Sequence, residues 1–252
     1  MAEIAPVSTP DEVAGYFDDF TKDYLACSDI IQVGRFSDDD DEHIRLLAQR
    51  AGVKDGDRVL DCGCGVGGVM IRLARWFPAA SIHGITISEE QVRIGREHLS
   101  AFPRCEIRHG DFQSIAAADA SYDILLYCET LGYVDLDVAV AETSRVLRPG
   151  GLAYVKECLA DERPLNDEEQ AELDHFERSW LYAARTPSTM KACFDRHGFD
   201  VIHADHRYTD VLVAPVSVMY KRTRLGWRHP VIKTLPPMTF GDFVFRKREQ
   251  GR

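Results

Sequence analysis

Arg58-Val-Leu-Asp-Cys-Gly-Cys-Gly-Val-Gly-Gly68 carries an apolar, strand-like run into glycines at 63, 65, 67 and 68, and an apolar helical pattern follows. Glycine is required where the backbone takes positive φ, or where it must approach a ligand with no Cβ between. Gly63, Gly65 and Gly68 satisfy the G-x-G-x-x-G spacing of dinucleotide-binding turns. That spacing alone is weak evidence for any one cofactor, and two neighbours refine it. Asp61 stands at the end of the strand, where a carboxylate can hold a cationic ligand or orient the loop. The next strand ends Gly84-Ile-Thr-Ile-Ser-Glu-Glu-Gln91, with Thr86 at the tip where a NAD site needs an acid for the ribose.

Outward from this stretch, strands and helices alternate. Gly67–Trp76 reads as a helix, Ser81–Ile87 as a strand, Glu89–Leu99 as a helix, and Cys105–Arg108 and Tyr122–Cys128 as strands. Val138–Leu147 reads as a helix and Gly151–Cys158 as a strand. The alternation predicts an α/β fold with a parallel sheet wrapped by right-handed crossovers. Residues 160–190 break the rhythm with a polar, helical stretch, expected as a cap inserted after the fifth strand. Thr186–His197 reads as a helix, Val201–Asp205 as a strand and Phe240–Arg246 as a terminal strand.

Upstream, Ser8-Thr9-Pro10 opens a helix on which Val13, Tyr16, Phe17, Phe20 and Tyr24 recur at helical spacing. That aromatic face reads either as core packing or as a lid over an apolar ligand. Ser37-Asp-Asp-Asp-Asp-Glu42 lacks the spacing and turn glycine of a calcium loop and reads as a helix N-terminus, where carboxylates complement the dipole. The expectation is one domain over 1–252: N-terminal helices and lid in 1–55, a cofactor-binding core in 56–159, the cap in 160–190 and the rest of the sheet in 191–252.

A chain of 252 residues, 45% hydrophobic, can bury a core without staples. Its 41 acidic against 30 basic side chains, net −11, argue against a nucleic-acid partner. The charge is uneven: residues 1–50 hold 12 acidic and 4 basic side chains, residues 203–252 hold 4 and 10, so a local anion site remains open. Seven scattered cysteines without a CxxC pair argue against a zinc ribbon and suit reduced thiols in a cytoplasmic protein. The start lacks the features of a signal peptide, and no apolar run is long enough to predict a membrane span. Oligomeric state is left open, a homo-oligomer included.

Taken in order, Val59-Leu-Asp-Cys-Gly-Cys-Gly-Val-Gly67, His109-Gly-Asp-Phe112 and Leu147-Arg-Pro-Gly-Gly151 resemble the class I S-adenosyl-L-methionine-dependent methyltransferases, from residue 10 to residue 205. The resemblance implies a Rossmann-like, seven-stranded sheet with its last strand antiparallel, and S-adenosyl-L-methionine as cofactor. It implies Asp61, Gly63 and Gly65 along the methionyl end and Asp111 and Phe112 at the adenine. The Gly84–Gln91 segment is similar to the G-x-T-x-S-x-x-Q pattern of cyclopropane-lipid synthases, sterol C-methyltransferases and prenyl diphosphate C-methyltransferases. In those relatives Thr and Gln lie at the cofactor edge, which makes Thr86 and Gln91 candidates. Ser88 and Gln91 also fit a capping box, and the two readings are compatible.

Methyl transfer from a sulfonium requires an aligned nucleophile. An oxygen or nitrogen acceptor often needs a general base, whereas an alkene leaves a cation for aromatic faces or carboxylates to stabilise and a base to quench. Glu129 and Glu157 stand where the fourth and fifth strands deliver side chains to the C-terminal edge of the sheet. Tyr127 and Tyr133 flank the first, and the cap adds Phe176, Trp180 and Tyr182. Glu157 could equally pair with Lys156 or face solvent.

Glu129-Thr-Leu-Gly-Tyr-Val-Asp-Leu136, Ser144-Arg-Val-Leu147 and Asp174-His-Phe-Glu177 resemble geranyl diphosphate C-methyltransferases. That resemblance implies Glu129 and Tyr133 along the reacting alkene and Glu157 as a second candidate base. Substrate contacts are expected from Tyr16, Phe20, Trp180 and Tyr182. Arg178 and Arg185 of the cap, with Arg207, Lys221, Arg222, Arg224 and Arg228, are candidates for a diphosphate, which Mg2+ would bridge by analogy. The expected activity is C-methylation of an alkene carbon of a prenyl diphosphate or related lipid. The alternatives are O- or N-methylation of a small metabolite, a NAD oxidoreductase (disfavoured by Thr86), and a non-catalytic binding module.

Overall fold

A computed structural model of the chain describes residues 8–26, 28–205, 212–213 and 238–249. Arg207, Lys221, Arg222, Arg224 and Arg228 lie outside the described residues. The strands are β1 (Gly34–Arg35), β2 (Arg58–Cys62), β3 (Ser81–Thr86), β4 (Cys105–His109), β5 (Tyr122–Cys128), β6 (Leu147–Ala160), β7 (Phe199–Asp205), β8 (Leu212–Val213) and β9 (Met238–Lys247). The helices are α1 (Pro10–Leu25), α2 (Asp40–Ala51), α3 (Gly68–Trp76), α4 (Glu89–His98), α5 (Leu136–Val146), α6 (Asp167–Trp180) and α7 (Pro187–Arg196), with a 3-10 turn at Leu131–Tyr133.

Seven strands form one sheet in the order β4-β3-β2-β5-β6-β9-β7. From β4 through β6 neighbours run parallel, and β9 lies antiparallel between β6 and β7. Both faces are covered. Val59, Ile124, Leu126, Tyr154 and Val244 share one buried cluster with Ile44 and Leu47 of α2 and Met70 and Leu73 of α3. Leu60, Leu125, Tyr127, Val155, Phe243 and Phe245 join Ala139 and Val140 of α5 and Met190 and Phe194 of α7 on the other. Burial on two faces is why these strands read as nearly unbroken apolar runs. Strand order reverses between β2 and β5, so the crevice beyond their C-terminal ends is where such sheets take ligands.

Local chemistry sets the boundaries. Thr9 caps α1 in a reciprocal box with Glu12, and Asp39 caps α2 by accepting from the Glu42 N–H at 2.7 Å. The acidic run thus starts a helix as the sequence suggests. β6 begins at Leu147 rather than Gly151, pairing Leu147 with Tyr122 across an irregular register. α5 begins at Leu136 rather than Val138, because Asp135 is its cap. The expected cap is α6, opened by an Asn166–Glu169 box. Among the described residues no helix is long and apolar enough to cross a membrane.

Between α1 and α2, residues 28–36 form a strap against the glycine turn. Arg72 on α3 binds Asp29, Asp41 and the Gly68 carbonyl, each at 2.9 Å. Arg35 pairs with Asp40. His43, fully buried, accepts from the Phe36 N–H at 3.1 Å and meets Gln32 Oε1 at 2.9 Å. Burial, reinforced by the charges of Lys156, Arg35 and Arg72, pulls its pKa down to about 2, so it works as a neutral ring. The strap sits so close that a Cβ on Gly68 would lie 2.3 Å from the Asp29 carbonyl oxygen. Gly68→Ala should therefore push the strap off α3 and lose about 1–3 kcal/mol in denaturant unfolding.

Candidate cofactor and acceptor site

Asp61, Gly63 and Gly65 meet at the point where strand order reverses. Gly63 has φ +78°, and its N–H donates to Ile85 O at 2.8 Å. A Cβ there would lie 2.4 Å from Thr130 Cγ2, so the loops following β2 and β5 touch across this glycine. Gly65, at φ +55°, faces Ile31 of the strap. Asp61 is 2% exposed, and among the described residues its Oδ2 has no hydrogen-bond partner. Burial raises its pKa to about 7. A buried carboxylate oxygen left without a donor is costly. Beside a glycine turn it fits the ammonium of an amino-acid-bearing cofactor such as the resemblance implies.

The other cofactor candidates lie at neighbouring strand ends. Thr86 donates to Gln91 Oε1 at 2.6 Å, and both are buried. Ser88 accepts from the Gln91 N–H at 3.1 Å, so it caps α4 while the Gln91 amide turns to Thr86 instead of completing a box. Half-buried Asp111, just past β4, is held by the N–H and side-chain amide of Gln113 at 2.8 and 3.0 Å. Phe112 is buried edge-on to Tyr127, centroids 5.6 Å apart. Asp18, which sequence reasoning missed, accepts from Ser88 Oγ at 2.6 Å and the Glu90 N–H at 3.1 Å. It fastens α1 to the N-terminus of α4; an acid on the polar face of α1 was the only signal.

The two candidate acids occupy different environments. Glu129 directly follows β5, in the left-handed region at φ +59°. Its carboxylate accepts from the N–H groups of Val33 and Gly34 at 2.7 and 2.9 Å and pairs with Lys156 at 2.5 Å. Lys156, buried, also donates to Gly34 O at 2.7 Å. Glu129 thus holds the strap, a role the sequence reading did not anticipate beside the one expected of it along the alkene. Glu157 neither pairs with Lys156 nor faces solvent. It is 1% exposed, accepts from the Thr130 and Leu131 N–H groups at 2.8 and 2.9 Å, and takes the Tyr182 hydroxyl on its other oxygen. Burial raises its pKa to about 7 against the opposing pull of these donors.

Around Glu157 stands a wall of rings. Tyr133 lies edge-on to Phe17 of α1 at 5.5 Å and to Tyr182 at 5.1 Å. Phe176 reaches Tyr182 and Trp180, each at 6.1 Å. Tyr16 and Phe20 are buried in the α1 cluster with Tyr24, whose hydroxyl meets that of Tyr16 at 2.7 Å. The α1 aromatics therefore pack as core and, through Phe17, also meet Tyr133. The two cap arginines differ in their surroundings. Arg178 is exposed on the last turn of α6, where it complements the carbonyl end of the helix. Arg185 is 2% exposed and donates to the carbonyls of Leu131, Ala183 and Val134 at 3.0, 3.1 and 2.8 Å. It fixes the turn under the rings, with its guanidinium turned to backbone carbonyls.

Comparison with known proteins agrees with this fold. Residues 59–151 match the methyltransferase domain family. A 24-methylenesterol C-methyltransferase from Oryza sativa subsp. japonica is 30% identical over 201 residues, covering 75% of this chain and 54% of that protein. The chain spans about half the length of the curated relatives it matches first. Among solved structures, the cyclase SpnF is similar with a TM-score of 0.73 at 21% identity, covering 98% of this chain and 99% of that one. The geranyl diphosphate C-methyltransferase from Streptomyces coelicolor A3(2), in complex with Mg2+, geranyl diphosphate and S-adenosyl-L-homocysteine, has a TM-score of 0.73 at 14% identity, covering 98% and 100%. At these identities the structural likeness shows the fold.

Two outcomes follow from the charges. In the fold Asp61 keeps its proton up to about pH 7, whereas an unfolded carboxyl releases it at ordinary acidic pH. The stability it contributes is therefore full at low pH and lost as pH rises through about 7. Asp61→Asn cannot ionise, so its melting temperature relative to the parent should shift upward between pH 5 and pH 8, while calorimetry shows weakened binding of S-adenosylhomocysteine. Removing Glu129 alone (Glu129→Ala) should cost about 3–5 kcal/mol in urea unfolding, because Lys156 is left buried and unpaired. Adding Lys156→Met should restore part of that loss, and the double-mutant cycle measures the coupling.

Proposed function

We propose that this chain, a class I S-adenosylmethionine-dependent methyltransferase by its matched domain, sheet order and sterol C-methyltransferase relatives, methylates an alkene carbon of an isoprenoid lipid. The observation that carries the reading is Glu157, a buried carboxyl with its pKa raised to about 7, set behind the rings of Tyr182, Tyr133 and Phe176. When bound, S-adenosylmethionine supplies an electrophilic methyl group on a sulfonium. Asp61 and the turn at Gly63 and Gly65 hold the amino-acid end, and Thr86, Gln91, Asp111 and Phe112 line the neighbouring strand tips.

The chain's own part in the reaction is positioning, charge stabilisation and proton transfer. The aromatic wall excludes water and offers π faces to positive charge developing on the alkylated acceptor. Glu157 accepts the proton lost from the carbon adjoining the cationic centre, which restores a double bond. A base with pKa near 7 is matched to that task at neutral pH. Three donors, the N–H groups of Thr130 and Leu131 and the hydroxyl of Tyr182, fix its direction.

In its finer form the proposal makes the acceptor a prenyl diphosphate handled by a cytoplasmic enzyme of isoprenoid secondary metabolism. Residues 1–55 would be the lid and 160–190 the cap of one domain. The charge of residues 203–252, 10 basic against 4 acidic, supports a diphosphate site, with Arg207 and Arg222 as contacts and Mg2+ as bridging ion.

The test is methyl-labelled S-adenosylmethionine incubated with a sterol bearing a side-chain alkene, with geranyl and farnesyl diphosphates, and with phenols and amines. Label should enter the solvent extract directly for a sterol, or after phosphatase treatment for a prenyl diphosphate. Transfer only to phenols or amines overturns C-methylation, and transfer to the sterol alone overturns the diphosphate form. Glu157→Gln should lower kcat by about 100-fold or more with cofactor affinity unchanged. In the parent, kcat should rise with pH through about 7, since the base must be ionised.

A further inference from the structure

We propose that Asp137, Cys193 and His197 form a zinc site joining the first turn of α5 to the end of α7. The site is separate from the proposed methyl-transfer machinery. Cys193 and His197 are four residues apart on α7 and its C-cap, and so share one face. Asp137 comes from the opening turn of α5, whose partner in the core is α7. No CxxC spacing announces such a site, because its ligands come from two helices distant in sequence.

The ligand atoms suit a small tetrahedral ion. One atom from each of the three residues lies within 4.8 Å of the others, and among the described residues no other group of three His, Cys, Asp or Glu side chains meets that condition. Asp137 Oδ1 is 3.0 Å from His197 Nε2 and 3.6 Å from Cys193 Sγ. Zinc bonds of about 2.0–2.3 Å in a tetrahedron require ligand atoms about 3.3–3.6 Å apart. The cluster therefore needs adjustments of only a few tenths of an ångström along these two edges.

The surroundings complete the case. Arg196 donates to both Asp137 oxygens, at 2.7 and 2.9 Å. With the ion on Oδ1, Arg196 retains Oδ2 and orients the ligating carboxylate, as an outer partner commonly does. Cys193 is 1% exposed, so the sulfur side is dry, whereas Asp137 is exposed and leaves the fourth position to water. On binding, the Cys193 thiol releases its proton to solvent and a sulfur–zinc bond forms. His197 binds through Nε2 with its hydrogen on Nδ1. A thiolate, a carboxylate and a neutral imidazole then balance the two positive charges of the ion.

The test uses the untagged full chain, reduced and stripped with chelator, titrated with Co2+ as an optical probe. One equivalent should produce a thiolate-to-cobalt charge-transfer band and the visible bands of a tetrahedral centre, release one proton, and be displaced by Zn2+. Zinc should also raise the melting temperature. Cys193→Ser should abolish the charge-transfer band. His197→Gln, at a partly exposed helix end, should keep the parent circular dichroism spectrum and weaken cobalt binding about tenfold or more. The proposal is overturned if the parent shows no thiolate band, or if His197→Gln binds Co2+ as tightly as the parent.

Discussion

The buried pairing of Lys156 with Glu129 is the constraint on which the site's geometry depends. Two charges withdrawn from water are tolerable only when their remaining donors and acceptors are met. Here the strap backbone meets them: Val33 and Gly34 donate to Glu129, and Gly34 accepts from Lys156. The ion pair thus dictates where residues 33 and 34 lie, at the C-terminal edge of β5 and β6. With that point fixed, Ile31 is set against Gly65 and the Asp29 carbonyl against Gly68. The strap in turn leads from α1, whose Asp18 reaches the start of α4 and whose Phe17 reaches Tyr133. One ionic contact beyond the strand ends therefore aligns the wall of the cofactor turn with the wall of rings.

The alternation of side chains along β6 explains why adjacent residues have opposite duties. Lys156 lies opposite Asp242 on β9, and Asp242 is itself met by Arg50 and His203 at 2.7 and 3.2 Å. Charge on that side of the sheet is met by Glu129, by Arg50 of α2 and by the His203 ring of β7. Glu157 projects to the other side, where among the described residues it has three neutral donors and no cation as hydrogen-bond partners. Neutral donors restrain a carboxylate without fully offsetting its lost hydration, and its pKa rises. Two carboxylates at neighbouring strand ends thus become an ionic fastener and a carboxyl of raised pKa through environment alone.

Much of this was legible in the sequence, and the limits have a physical cause. β2 and β5 begin and end where the apolar runs do, because burial on both faces writes itself into consecutive residues. The glycine turn was legible because positive φ restricts the residue type. The fate of Lys156 was not, since its partner Glu129 sits just past β5 and the periodicity of one strand carries no information about register with the next. The surroundings of Arg185 were illegible for a related reason: a cation in a polar cap gives no sign in sequence of the carbonyls of a distant turn, at Leu131 and Val134, that it meets. Likewise, Gln91 fits a capping box by spacing, and only the proximity of Thr86 shows that its amide turns elsewhere.

The strap and the rings also divide the interactions by physical kind. Around the glycine turn the closing contacts are ionic or hydrogen-bonded: Arg72 with Asp29, Asp18 with Ser88, Lys22 with Glu90. Around Glu157 they are aromatic edges, from Phe17 through Tyr133 to Tyr182 and Phe176. Exposed polar contacts such as Lys22 with Glu90 contribute little each and open locally at low free-energy cost. Packed rings open only with loss of buried apolar area. A charged cofactor would therefore exchange past contacts that water can replace, while an apolar acceptor would be enclosed by contacts that water cannot. Tyr133 belongs to both boundaries, since Phe17 touches one of its edges and Tyr182 another. The α1 cluster meets the same wall a second time, where Leu181 packs against Tyr16, Phe20 and Tyr24, so α1 and the rings around Glu157 share one packed boundary that cannot separate at Tyr133 alone without uncovering apolar surface.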